Sequence, residues 1–356
     1  MKKDKLHFNT RRIDSYNKDF NFVISERESG KSTALLNKAY LLFKKKKQQT
    51  IIIRRRVVDI TELYVNSIAR SINFFLPEDK QIEITFKKGN IKDGTVEVYI
   101  GEEQFLLIIA LSIDVSRAKS CICKNPGMII FDEFICNNRG GEKYLNDEAF
   151  RFKEIYNTYQ RYAIMNRHKL KCYFAGNPYS LYNPYFSDKD VDTLALKPGA
   201  FIVGPDYIVY CYRTNEKLKK LILERNPLYK FDEAYKRYAF DGLAVNDSQF
   251  ILDPKRPERF NLRYVFRINN RYLQIWSNNN DDYRVDCKYY IESSRETEAT
   301  KLIYAIDFNN LVQNTRLISV PLKILFARLK QAIATRAVVF SNIESAYLTE
   351  ALYSSI

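Results

Sequence analysis

Apolar residues in the first half of the chain fall at two periods. Asn21–Ser25, Thr50–Arg54, Phe105–Leu111, Gly127–Asp132 and Lys171–Gly176 are short β-type runs rich in Ile, Val and Phe. Such near-continuous runs mark strands covered on both faces. Between them, Ser32–Phe43 places Leu35, Leu36, Ala39, Leu42 and Phe43 at three- and four-residue spacing, and Asp59–Asn73 and Asp147–Met165 also fit helices. Strands alternating with helices predict a parallel α/β sheet. Gln81–Lys87 and Thr95–Ile100 alternate in polarity around the turn residues Gly89, Asn90, Asp93 and Gly94, which predicts a hairpin inserted in this domain.

The texture changes after residue 197. Pro198, Gly199, Gly204 and Pro205 punctuate the chain, then Glu216–Arg225 and Phe231–Phe240 read as short charged helices. Residues 198–245 are therefore expected to be a helical linker between a domain at 1–197 and another at 246–356. In the last segment Ser248–Leu252, Leu262–Asn269, Tyr272–Ser277, Arg284–Glu292 and Leu302–Asp307 follow one another as β-type runs. With Asn269, Asn270 and Asn278–Asp282 at the turns, they predict an antiparallel meander. A C-terminal helix follows, with Leu322, Leu325, Phe326, Leu329 and Ile333 on one face.

Composition narrows the class. Hydrophobic residues make up 46% and charged residues 28% of 356 residues, so most of the chain can bury cores, and two domains are expected. The longest apolar run, Phe105–Leu111, is far shorter than the roughly 20 residues that span a bilayer. The charged start, Met1-Lys2-Lys3-Asp4-Lys5, has no apolar signal core after it, so a cytoplasmic location without membrane contact is expected. Six scattered cysteines and two histidines, His7 and His168, suit reduced thiols rather than a disulfide framework or a zinc site. A net charge of +15 points to a polyanionic partner, although a plain basic surface has the same signature.

The chemistry concentrates in three strand ends. Phe22-Val23-Ile24 runs into Ser25-Glu26-Arg27-Glu28-Ser29-Gly30-Lys31-Ser32-Thr33 and opens a helix, the pattern of a phosphate-binding loop. Lys31 is expected on the β- and γ-phosphates of ATP and the Ser32 hydroxyl on Mg²⁺. Ser25 stands where the first glycine is usual, and Glu26 and Glu28 bring unexpected negative charge. Met128–Phe131 is an apolar strand ending in Asp132 and Glu133. Asp132 suits the second metal-shell position, and Glu133 suits the base that activates the attacking water. Cys172–Gly176 ends in Asn177, which reads either as a γ-phosphate sensor or as a turn former before Pro178. Arg167 first and Arg161 second are candidates for an arginine acting on a neighbouring subunit's nucleotide. Arg27 is placed for nucleotide or subunit contact, and Arg54–Arg56 for subunit or DNA contact. Lys87, Lys88, Arg117, Lys119 and Lys124 are candidates for sequence-independent DNA grip.

With these residues the chain resembles the DNA-encapsidation ATPases of small short-tailed phages, the phi-29-like packaging motors. The resemblance runs through Asn21–Ile24, Arg27, Gly30-Lys31-Ser32, Arg54-Arg55, Ile130–Ile135, Asn166-Arg167, Cys172 and Asn183-Pro184-Tyr185-Phe186. It implies a P-loop NTPase of the additional-strand, catalytic-glutamate branch, followed by a smaller α+β nuclease-like domain without nuclease activity. It also implies a homo-oligomeric ring, usually a pentamer, in the host cytoplasm, that docks at the procapsid portal and pumps double-stranded DNA. A packaging RNA sits between motor and shell in some such systems. Asp253, Asp281, Asp282, Asp286, Glu292 and Asp307 are the carboxylates a nuclease would draw on, and their irregular placement favours docking over cleavage. A helicase and a nucleotide-binding scaffold without turnover are the competing readings.

Overall fold

The runs that read as strands in the first half form one sheet, and polarity explains how it is layered. The computed structural model describes residues 6–87, 91–137, 142–179, 183–189, 191, 196–227, 229, 250–268, 271–278, 288–297, 302–305, 311–317 and 323–354. Two compact units are present, Met1–Val245 and Asn246–Ile356. The first runs α1 (Arg11–Asp14), β1 (Phe20–Ile24), α2 (Lys31–Lys46), β2 (Gln49–Arg54), α3 (Glu62–Asn73), β3 (Thr85–Phe86), β4 (Thr95–Ile100) and β5 (Glu103–Ala110). It continues α4 (Val115–Ser120), β6 (Pro126–Asp132), α5 (Glu148–Met165), β7 (Lys171–Gly176), α6 (Pro184–Lys189), β8 (Phe201–Val203), β9 (Tyr207–Cys211) and α7 (Glu216–Arg225).

Strand order among the described residues is β3-β4-β5-β2-β6-β7-β1-β9-β8. The stretch from β5 to β9 is parallel, so Ile24, Asp132 and Gly176 end at one edge. β7 lies between β1 and β6, which is the arrangement of the additional-strand P-loop fold. Strand alternation splits the core. Phe22, Ile51, Ile53, Phe131 and Phe174 face α5 and α6 through Phe152, Ile155, Tyr159 and Tyr185. Val23, Ile52, Ile108 and Ile130 face α2 and α3 through Leu35, Ala39, Val65 and Ile68.

The expected linker needs correction. Residues 198–245 are not a helical linker throughout, because β8 and β9 complete the first sheet and β9 pairs in parallel with β1. Tyr207–Cys211 is buried at every position, so its apolar content outweighs the surrounding Pro and Gly. α7 forms as expected, while Phe231–Phe240 lies outside the described residues. The expected hairpin forms, with β3 and β4 paired antiparallel, and β4 also pairs antiparallel with β5, so the hairpin extends the sheet edge.

The second unit holds β10 (Ile251–Leu252), β11 (Phe260–Ile268), β12 (Arg271–Asn278), β13 (Tyr289–Ser294), β14 (Ile303–Ala305), β15 (Thr315–Leu317), α8 (Lys323–Ala334), β16 (Val338–Phe340) and α9 (Ile343–Ser354). The expected five-strand meander is confined to β11, β12 and β13. β14 joins β11 in parallel and carries β15, and β16 joins both β13 and β10 in parallel. Parallel pairing needs a crossover, and α8 precedes β16 in that role. β15 and β16 are three residues long, too short for a visible period.

Phe174 sits at the centre of the first unit, with its ring 4.4 Å from that of Phe22, 4.9 Å from Phe152 and 5.3 Å from Tyr185. Phe174→Ala leaves a cavity that α5 and α6 together cannot close. It is expected to destabilise the fold by about 3–5 kcal/mol, read as a lower urea midpoint at unchanged slope.

Candidate nucleotide-binding site

The loop after β1 turns sharply into α2, and its backbone is set by two left-handed residues, Glu28 (φ 58°) and Gly30 (φ 86°). A side chain at Gly30 would start 2.9 Å from the His7 Cβ, so glycine is required there by space as well as by φ. Gly30 is also the N-cap of α2 and offers no side-chain acceptor. The first-turn N–H groups of α2 therefore have no cap, and the helix dipole adds positive potential at that point, which suits phosphate oxygens. Ser25 replaces glycine without obstruction because its hydroxyl turns inward, 2.6 Å from the Ser29 hydroxyl.

Lys31 is folded over this loop and buried. Its Nζ donates to the Ser25 carbonyl and hydroxyl and the Glu26 carbonyl, each at 3.0 Å, to Asn177 Oδ1 at 3.2 Å and to the Ser29 hydroxyl at 3.3 Å. Burial pushes its pKa down from 10.5 to about 8, against the pull of Asp132, Glu26 and Glu133. The two loop acids that seemed out of place are engaged by other partners. Buried Glu26 accepts from the Thr214 hydroxyl and pairs with Lys219 at 2.8 Å. Burial acts to raise its pKa, yet hydrogen bonds from Lys219 and Thr214 hold it below the usual carboxylate value. Glu28 accepts from the Tyr229 hydroxyl at 3.1 Å. All three partners come from the segment read as a linker, and no local sequence signal announces them.

At the end of β6 the two carboxylates diverge. Asp132 is hydrogen-bonded to Ser32, and burial raises its pKa, with neighbouring Glu133 adding to the rise. Glu133 adopts φ 60°, a left-handed conformation rare for a residue with a side chain. Its carboxylate, 57% exposed, is met by Arg54 Nη2 at 2.9 Å. Arg54 in turn lies 4.7 Å over the Tyr64 ring. At the end of β7, Asn177 bridges the Lys31 ammonium and the Tyr179 hydroxyl, the latter at 3.1 Å. Arg27 Nη2 reaches the same hydroxyl at 2.6 Å. Lys31, Ser32, Asp132, Glu133, Asn177 and Arg27 thus line one open cleft of about 1810 Å³, which Glu28, Ser29, Gly30 and Thr33 also border.

Arg54 and Arg55 do not project to a subunit or DNA: both are turned in toward the end of β6, and Arg56 is exposed. Arg161 and Arg167 are exposed at the far end of α5. Asn166 and His168 beside them bond the backbone of Lys124 and Pro126 at the start of β6, so these arginines belong to the sheet edge opposite the cleft. Lys87 and Lys124 are exposed, Arg117 pairs with Asp93 and Lys119 with Glu154. Lys88 lies outside the described residues.

A magnesium ion is implied by this loop, and the donors fit it: a serine hydroxyl and a carboxylate already in contact across the cleft floor. No cluster of three or more His, Cys, Asp or Glu side chains that could hold a metal occurs among the described residues. An ion here would therefore take its remaining ligands from nucleotide oxygens and water. In the second unit, Asp253 caps the backbone of Lys255, and Glu292 binds Trp276 and Arg256. Asp281, Asp282, Asp286 and Asp307 lie outside the described residues. No helix among the described residues is long and apolar enough to cross a membrane.

A family model described as podovirus DNA encapsidation protein (Gp16) matches residues 1–354. The DNA packaging protein of Bacillus phage phi29 is 25% identical over 322 residues, covering 88% of this chain and 86% of that protein. In fold, the chain is similar to a subunit of the bacteriophage Phi-29 viral genome packaging motor assembly, with TM-score 0.68 and 22% identity over 99% of each chain. It is also similar to the Phi-28 gp11 DNA packaging motor, with TM-score 0.64 and 15% identity over 97% of each chain.

The depressed Lys31 pKa has a measurable consequence. A polyphosphate in the cleft favours the protonated amine, so binding takes up a proton once the pH exceeds about 8. Pyrophosphate affinity, measured calorimetrically, is expected to hold steady below that pH and to fall by up to about tenfold per unit above it. Lys31→Ala is expected to weaken binding and flatten this dependence.

Proposed function

The chain belongs to the podovirus DNA encapsidation protein family, and on that footing we propose that it is an ATP-driven translocase that packages double-stranded viral DNA into an empty procapsid. The observation that carries the ATPase reading is the meeting of three parallel strand ends: Lys31 after β1, Asp132 and Glu133 at β6, and Asn177 after β7, bordering one cleft.

Each group then has a role its position permits. The phosphates of ATP replace the loop oxygens around Lys31, and the open N–H groups of α2 bind them as they bind any anion. Ser32 and Asp132 would hold Mg²⁺, which when bound neutralises phosphate charge. Glu133, exposed to the cleft, takes the proton of the attacking water, and Arg54 steers its carboxylate. Asn177 touches Lys31 and, through Tyr179, Arg27, so it is placed to register whether a γ-phosphate is present.

α5 begins beside the cleft and is about 27 Å long at 1.5 Å per residue, so Arg161 and Arg167 at its far end serve a neighbouring subunit's site rather than their own. This supports a closed ring, and the proposed assembly is a pentamer docked at the portal, with a packaging RNA as a further partner. DNA is gripped through phosphates by exposed cations such as Lys87 and Lys124, without reading sequence. A scaffold without turnover has no use for the base at Glu133.

Procapsids mixed with DNA, ATP and the native chain are expected to protect that DNA from added nuclease. With Glu133→Gln, protection is expected to vanish and ATP turnover to fall about 10²–10⁴-fold while ATP binding survives. Native-level packaging by this variant, in shells competent with a control motor, would remove Glu133 as the base. Absence of protection by the native chain in the same shells would remove the packaging reading.

A further inference from the structure

Arg55 follows Arg54 in the chain but serves a different purpose. Its guanidinium is buried, and all three nitrogens are engaged. Nε meets Glu148 Oε2 at 2.9 Å, Nη1 donates to the Glu133 carbonyl at 3.1 Å, and Nη2 donates to the Phe134 carbonyl at 2.7 Å. Its charge also lies 5.6 Å from the centre of the Phe131 ring and 5.2 Å from that of Tyr144. The cation is thus flanked by two aromatic rings and bonded at each of its three nitrogens.

We propose that Arg55 is a positioning residue for Glu133, fixing the backbone turn that presents the catalytic carboxylate through the carbonyls of Glu133 and Phe134. The proposal rests on the ATPase reading above. Glu133 holds a left-handed φ of 60°, which is costly for a residue with a side chain and persists only where the surroundings impose it. Three hydrogen bonds impose it here. The Ala175 carbonyl of β7 accepts the Phe134 N–H at 3.2 Å, and Arg55, just past the end of β2, donates to the two carbonyls.

The clamp is itself locked. The Glu148 side chain is 0% exposed, and besides Arg55 it accepts from the Leu145 N–H at 2.9 Å and the Tyr185 hydroxyl at 3.0 Å. Tyr185 is fixed in turn by Asn183, whose side-chain oxygen accepts from the N–H groups of Tyr185 and Phe186 at 3.2 and 3.0 Å. Moving Arg55 would strand a buried carboxylate, so the guanidinium stays where it can hold the turn. The Asn183-Pro184-Tyr185-Phe186 segment thereby reaches Glu133 through four side chains without touching the cleft.

A positioning role predicts a loss in turnover at unchanged nucleotide affinity. Arg55→Lys keeps a cation beside Glu148, but a lone ammonium cannot also hold both carbonyls in the guanidinium's planar geometry. Glu148→Gln is near-isosteric and removes the charge that locks the fork. Native chain, Glu133→Gln and these two variants would be compared for ATP turnover with procapsids and DNA, for equilibrium binding of a fluorescent ATP analogue, and for unfolding midpoint. Arg55→Lys is expected to lower kcat tenfold or more with Kd within twofold, and Glu148→Gln to show the same split at smaller size. If Arg55→Lys does not fold, Glu148→Gln decides the case. Native kcat in the deciding variant, or parallel loss of kcat and affinity, overturns the proposal. Failure of the ATPase reading is distinct from both, because the native chain then shows no turnover or Glu133→Gln turns over at the native rate.

Discussion

A lysine ammonium enclosed by the oxygens of its own loop is the interaction on which the first unit depends. Burial alone would drive Lys31 to shed its proton, since a charge in a poorly solvated site is costly. Its neighbours are neutral carbonyls, hydroxyls and an amide oxygen, and the acids close enough to help are engaged elsewhere. Asp132 is bound to Ser32, Glu133 to Arg54, and Glu26 to Lys219 and Thr214. The cleft therefore offers a cation with no dedicated counter-charge, beside a helix terminus with no cap. Such a site suits an anion, and the first turn of α2 and the Ser32–Asp132 pair border the same cleft.

Much of this was legible in the sequence because it depends on strand ends. A β-type run followed by Gly-Lys-Ser, and another ending in two carboxylates, locate chemistry without a structure, since a parallel sheet delivers such ends to one edge. The same logic placed Asn177. The loop acids were not legible: Glu26 looks like an error beside a triphosphate until Thr214 and Lys219, nearly two hundred residues on, turn it away. Long-range pairing of this kind leaves no periodicity behind. The β8–β9 hairpin was hidden for another reason, because Pro and Gly on both sides made a fully buried strand look like a connector.

The second unit was legible only in part. Three antiparallel strands, β11 to β13, with asparagine-rich sequence between them, show their pairing in alternation. The parallel flanks at β10, β14, β15 and β16 are two or three residues long, set by crossovers rather than by local pattern. Its carboxylates illustrate how little composition says about a metal site. Glu292 is consumed by an indole and a guanidinium, and Asp253 by a turn, so two of the residues that could have served cleavage are structural.

Net charge misleads in a related way. The neighbours Arg54, at the end of β2, and Arg55, just past it, go in different directions, one to the Glu133 carboxylate and the other to Glu148 and two backbone carbonyls. Neither can meet a nucleic acid, and Lys31 is likewise enclosed, yet all three count toward the +15 that suggested a polyanion. Enclosed cations and those open to a polyanion are therefore separate sets, divided by burial rather than by residue type. Enclosed cations hold fixed geometry in a medium that screens them little. Exposed ones such as Lys87 and Lys124 are screened by salt, so any contact they make with a polyanion weakens as ionic strength rises.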